Sequence, residues 1–412
     1  MNIKKVLDEE RKKLEIDKES YEKMEKLAEE VVSRLKKEIS KKKIKAEVFI
    51  GGSFAKGTLI KKDKYDVDIY VKFTSEEETK KLEKIVGNAE RVHGSRDYFR
   101  MFNKNIMFEI IPTVKVKNPK DANNVTDLSF FHVNYIKNKI KQNPKLRDEI
   151  KLGKVFTFCQ GVYGAESYIK GFSGYALELL IVYYKSFEKF ISEIVKAKDK
   201  IVVDMEKFYK NKQEVLNNLN EAKMSSPIIF VDPTFKERNA LAALSPETFE
   251  KFREICRRFL NKPSLDYFEK KEFDLSKFKK AKGEFFKLLV KTDKQAGDIA
   301  GSKMLKFSKY ISSNIEKYFE IKNSEFIYSD AQESEIYFIL NKKKEIILSG
   351  PPINNVENLL KFKKAHNDVF IKENRAFARE KIKFGFKDFF KSFKDKNKKV
   401  IESMGMTKVE II

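Results

Sequence analysis

The segment GGSFAKGTLIKKDKYDVDIYVKF, residues 51–73, decides how the rest of the chain is read. Its second half, Val67-Asp68-Ile69-Tyr70-Val71, carries the β-branched and aromatic residues of a strand. Side chains alternate along a strand, so Asp66 and Asp68 are expected on one face, side by side. Two adjacent carboxylates repel, and a divalent cation removes that cost. Hard oxygen ligands select Mg²⁺, and a carboxylate pair spanning two ions forms a clamp for phosphoryl transfer. The Gly51-Gly52-Ser53 turn lets backbone N–H groups approach a triphosphate, to which Ser53 and Lys56 can donate. Either half alone is bland, since a lone D-x-D is commonly a solvated edge and a lone Gly-Gly-Ser a turn.

A two-ion clamp calls for a third carboxylate on a neighbouring strand. Glu109, the single acid in Ile106-Met107-Phe108-Glu109-Ile110-Ile111, is the candidate. Buried there it would need a cation or a donor; on a half-exposed strand it would simply face water.

The 412 residues suffice for two to four domains, and the formal charge of +24 points to a polyanionic partner. A lysine-rich composition from an AT-rich genome would give the same excess. Cys159 and Cys256 stand far apart, which implies neither a disulfide framework nor a zinc site and suits a reducing cytoplasm. The amino-terminal residues show no apolar signal core, and the apolar run Leu177–Tyr184 is too short to span a membrane. With three histidines, His93, His132 and His366, little His-based chemistry is expected.

Apolar spacing predicts a helix over 17–41, strands near 46–50 and 66–73, a helix over 75–87, and strands near 97–102 and 106–116. Helical pattern fills 144–195 and 246–260. Beyond Pro263 it predicts helices over 274–290 and 301–319, and strands over 324–329, 334–341 and 344–349, the last stopped by Gly350-Pro351-Pro352. A helix over 354–366, a strand over 368–383 and a helix over 385–396 complete the pattern.

The Gly-Gly-Ser turn and D-x-D at this spacing resemble the polymerase-beta-like nucleotidyltransferase superfamily. The blocks NVTDLSFFHVNYI, GVYGAESYIKGFSGYALELLIVYYKSF, PIIFVDPTFKERNALAALSPETF and SGPPI follow in order, and with them the chain resembles the archaeal-type (class I) CCA-adding enzymes. The resemblance implies an α+β multidomain fold: a nucleotidyltransferase head with a mixed sheet (1–140), a helical neck with the base pocket (141–262), and α+β body and tail domains (263–412). It implies Asp66, Asp68 and Glu109 as metal carboxylates for two Mg²⁺ ions, with Glu109 standing where the family usually has Asp. Gly52, Ser53 and Lys56 would meet the triphosphate, His132, Lys154 and Tyr163 the nucleotide, and Arg238 the base. The partners implied are ATP, CTP and the acceptor and TΨC arms of tRNA, in the cytoplasm, with a homodimer left open. A poly(A) polymerase or oligoadenylate synthetase relative, or a silent RNA-binding protein on the same fold, are the alternatives.

Overall fold

The computed structural model describes residues 2–219, 224–270 and 272–412. The chain divides into two compact units, residues 1–271 and 272–412. Together they mix helices with several sheets, the α+β class that the pattern predicts. Among the described residues no helix is long and apolar enough to cross a membrane.

The first unit is built on a five-stranded sheet in the order β1-β2-β5-β4-β3. Its members are β1 (Ala46–Ile50), β2 (Tyr65–Phe73), β3 (Glu90–Val92), β4 (Tyr98–Asn103) and β5 (Ile106–Val114). In β2 the odd-numbered residues Val67, Ile69, Val71 and Phe73 are fully buried on one face, while Asp66 and Asp68 emerge half-buried on the other. The Lys18–Lys41 helix covers the apolar face with Met24, Ala28, Val31, Leu35 and Ile39, and Asp17 caps it by accepting from the Ser20 N–H. The rest of the unit packs the Ser129–Gln142, Leu146–Cys159, Gly174–Tyr184, Phe187–Lys196 and Pro246–Asn261 helices around a second core rich in phenylalanine. A small sheet joins β6 (Ile201–Val203), β7 (Ile228–Asp232) and β8 (Phe235–Asn239).

The second unit holds an antiparallel sheet in the order β10-β11-β9-β15, formed by β9 (Glu284–Thr292), β10 (Phe319–Tyr328), β11 (Glu333–Lys342) and β15 (Met406–Ile411). The Asp298–Ile315 and Phe386–Ser403 helices cover it. A three-stranded sheet, β12-β14-β13, comprises β12 (Glu345–Pro352), β13 (Asp368–Lys372) and β14 (Arg375–Lys381).

Four expectations differ from the structure. The helix expected over 274–290 is confined to Leu275–Phe278, and most of that stretch is β9. Leu288, Val290 and Thr292 are buried at alternate positions, a period of two that the dense Lys and Phe content obscures. The 75–87 helix is three short turns ended by Gly87 at φ +70°. The strand expected over 368–383 is the hairpin of β13 and β14, closed by Glu373 and Asn374, both at positive φ. Strand β12 runs through Pro351 to Pro352 because it lies at the edge of its sheet, where proline is tolerated, with a register shift before Pro352.

Candidate active site

The parallel pairing of β2 with β5 sets Asp68 directly opposite Glu109, and the antiparallel pairing of β5 with β4 sets Glu109 opposite Arg100. Asp68, Glu109 and Arg100 thus form a row across the sheet, with Asp66 two residues along β2 on the same face. Glu109 is neither solvent-facing nor alone: its Oε1 accepts from Nε of Arg100 at 2.8 Å and pairs with the Nη2 end of the same guanidinium at 2.8 Å. Burial still pushes the Glu109 carboxyl up, with Arg100 opposing and Asp66 adding to the shift. Asp68 is pushed up to about 7 by burial and by the charges of Glu109 and Asp66, against the pull of Lys56 and Lys154.

The Gly-Gly-Ser turn lies against this row. The Gly51 N–H donates to the Asp68 carbonyl at 2.8 Å. Gly52 opens the short Gly52–Lys56 helix at φ +58°, and a Cβ there would lie 1.6 Å from Asp68 Oδ2. A Cβ on Gly51 would strike the Tyr70 ring at 2.3 Å. Both glycines are therefore required by close approach, and Gly52 keeps a carboxylate oxygen open to a ligand. The donor set of Asp66, Asp68 and Glu109 is all hard oxygen, and its mutual repulsion is what a divalent ion relieves. As the side chains stand, no three His, Cys, Asp or Glu groups among the described residues close into a metal-ligand set; Arg100 holds Glu109 Oε1.

Below the turn lies a buried ion cluster. Glu178, wholly inaccessible, accepts from Lys56 Nζ at 2.6 Å through Oε2, and from Lys154 Nζ and Thr58 Oγ1 at 2.7 Å through Oε1. Lys154 also donates to the Thr58 carbonyl and hydroxyl. Burial opposes ionisation of Glu178, yet Lys154 and Lys56 outweigh it and hold the carboxyl down at about 2. Lys56, expected at the triphosphate, and Lys154, expected at the nucleotide, thus have their ammonium groups on Glu178, binding the Gly-Gly-Ser segment to the 146–159 and 174–184 helices.

A second cluster gathers His132 and Arg238. Asp232, at the end of β7 and inaccessible, accepts from His132 Nε2 at 3.1 Å and from Arg238 Nη1 at 2.6 Å. The His132 ring stacks on Tyr175 at 3.9 Å between centroids. Tyr163 is reached through Lys62, whose ammonium lies 5.8 Å from the Tyr163 ring, 5.1 Å from the Phe158 ring and 3.8 Å from Asp66 Oδ2.

Of the ten residues expected at the site, Asp66, Asp68, Glu109 and Gly52 meet on one face and Ser53 follows Gly52 in the turn. Lys56 and Lys154 share Glu178, and His132 and Arg238 share Asp232. Sequence reading missed Arg100, Lys62, Glu178 and Asp232. Glu178 carried a signal, as the lone acid in the apolar helical run Ala176-Leu177-Glu178-Leu179-Leu180-Ile181-Val182.

Residues 32–122 match the family model of the nucleotidyltransferase domain, and residues 148–269 that of the tRNA nucleotidyltransferase second domain. In fold, the chain is similar to the Cid1 poly(U) polymerase bound to Mg and 3′-dATP, with a TM-score of 0.51 and 15% identity over 65% of this chain and 98% of that one. Fold and site together define a nucleotidyltransferase, a class that works with divalent metal. The CCA-adding enzyme of Nanoarchaeum equitans is 32% identical over 371 residues, 87% of this chain and 88% of its own length. That of Methanocaldococcus jannaschii is 28% identical over 400 residues, 92% of this chain and 87% of its own. The chain belongs to the archaeal-type CCA-adding enzyme family.

Two outcomes are expected from this geometry. Asp68→Asn removes one of three clustered like charges, so it should raise the melting temperature of metal-free protein while abolishing most of the stabilisation given by Mg²⁺; calorimetry with and without Mg²⁺ checks both. Glu178→Gln leaves two buried ammonium groups without their counter-charge and should cost about 3–5 kcal/mol in urea unfolding. Because the Glu178 carboxyl is depressed in the fold, its contribution is complete above the ordinary carboxyl range and lost as pH falls toward about 2. The variant should lack that component of the acid dependence.

Proposed function

We propose that the protein adds or repairs the 3′-terminal CCA of tRNA from CTP and ATP without a nucleic-acid template. The observation that carries this reading is the likeness to CCA-adding enzymes along 87% of the chain, with the paired acids of the nucleotidyltransferase row intact. In the reaction the terminal ribose hydroxyl of the tRNA attacks the α-phosphate of the nucleotide and pyrophosphate leaves. Bound at Asp66, Asp68 and Glu109, a pair of Mg²⁺ ions would supply the charge stabilisation that phosphoryl transfer requires.

The chain's own residues do the positioning. Gly52 leaves the Asp68 carboxylate uncovered, and the Ser53 hydroxyl donates to the triphosphate. Lys56 and Lys154, with one carboxylate between them, keep a net positive charge beneath the phosphates. Arg100 restrains Glu109, whose extra methylene relative to Asp would otherwise widen its reach. Tyr163 and His132 flank the nucleotide, and the planar fork of Arg238 reads its base edge. Within the first unit the division into head and neck falls near residue 140, and the remainder of the chain grips the acceptor and TΨC arms through phosphates and A-form shape.

The decisive assay uses purified protein, Mg²⁺ and a tRNA ending at its discriminator base, with each nucleotide alone and in pairs. CTP alone should extend the primer by two residues, CTP with ATP should complete CCA, and UTP or GTP should give no product. Extension by ATP alone into a long tail would replace this reading with a poly(A) polymerase. Binding of that tRNA should weaken linearly in log–log plots against salt, with a slope of about −0.7 to −0.9 per neutralised phosphate. A slope near zero would assign the +24 charge to composition alone.

A further inference from the structure

Asp232 is a buried carboxylate with donors on both oxygens. Oδ2 receives Arg238 Nη1 at 2.6 Å and His132 Nε2 at 3.1 Å. Oδ1 receives the Thr234 N–H and hydroxyl at 2.8 Å and the Tyr175 hydroxyl at 3.1 Å. The anchor is inaccessible, whereas the Arg238 side chain keeps 24% of its exposure and that of His132 11%. The cluster lies close enough to Lys56 for that charge to act on His132, and Lys56 in turn feels Asp68.

An ionised carboxylate only accepts, so the ring nitrogen of His132 that faces it carries the proton. The ring stays neutral: burial lowers its pKa, and the neighbouring Arg238 charge works in the same direction against the pull of Asp232. Its Nδ1 is then left with a lone pair, and stacking on Tyr175 holds the plane of the ring. Arg238, tethered through one nitrogen, is a donor only. Cytosine and adenine share an exocyclic amino donor where uracil and guanine carry a carbonyl acceptor.

We infer that Asp232 is a positioning residue for nucleotide selection, holding His132 as an Nδ1 acceptor and Arg238 as a donor so that together they meet the amino-bearing edge common to cytosine and adenine. The inference rests on the CCA-adding reading and names the anchor behind its base selection. It follows that asparagine should not substitute for this aspartate. An amide NH₂ on the Oδ1 side would oppose the Thr234 N–H, and on the Oδ2 side it would oppose Arg238. Turned to Arg238, it would also drive His132 to the other tautomer and place a donor where the acceptor stood.

The test compares wild type, Asp232→Asn, Arg238→Ala and the double variant in single-nucleotide incorporation on a tRNA ending at its discriminator base. If wild type itself fails to select C and A, the functional reading falls, whatever the variants do. If wild type selects, Asp232→Asn should raise the UTP-to-CTP ratio of kcat/KM by about tenfold or more. Its tRNA affinity should stay within about twofold, because no phosphate contact changes. The double variant should discriminate no worse than Arg238→Ala. An unchanged ratio in folded Asp232→Asn, or additive losses in the double variant, would overturn the inference. Should Asp232→Asn fail to fold, nitrogen-15 NMR of histidine-labelled wild type decides, since the chain has only three histidines to assign. A neutral ring protonated at Nε2 is expected for His132; an Nδ1–H tautomer or an imidazolium at neutral pH would overturn it.

Discussion

The site depends on the parallel pairing of β2 with β5, which sets Asp68 opposite Glu109. A shift of one residue would send Glu109 to the apolar face and break the row. The register is held by burial of Val67, Ile69, Val71 and Phe73 from one strand beside Phe108 and Ile110 from the other. The same stretch of β2 therefore does two jobs. Its odd residues stabilise the sheet, and its even residues gather like charges that only a cation or a donor can offset. Arg100 is the donor that the sheet itself supplies, placed by the antiparallel register of β4.

Behind the row, two inaccessible carboxylates organise the long side chains. Glu178 holds Lys56 and Lys154, and Asp232 holds Arg238 with His132. Each charge is paired and hydrogen-bonded, which is the condition under which burial of an ion is tolerated. Neither arrangement is an efficient way to gain stability, since an apolar replacement of matching volume is often as stable. What they provide is fixed geometry: each anchor leaves the flexible lysine and arginine heads few rotamers.

Much of this was legible in the sequence. The alternation in residues 65–73 and the lone acid at Glu109 located the sheet, its buried face and the acid row. The hidden part lies in contacts between segments distant in the chain. Arg100 is an ordinary residue of a short strand until the register sets it opposite Glu109. Asp232 sits a hundred residues from His132, and only the fold brings them together. Residues 284–290 read as helix because lysine and phenylalanine fall at spacings compatible with either period, and packing beneath the helices of the second unit selects the strand. The Glu373-Asn374 turn escaped notice because it lacks the glycine that usually marks positive φ.

Asp66, Asp68 and Glu109 are proposed to act together as one cation-binding row. Counting bound Mn²⁺ by electron paramagnetic resonance, with a non-hydrolysable CTP analogue present, tests it most directly. A pair of ions per chain is expected in wild type, with loss of the tighter binding in both Asp68→Asn and Glu109→Gln. Equal counts and affinities in wild type and both variants would contradict it.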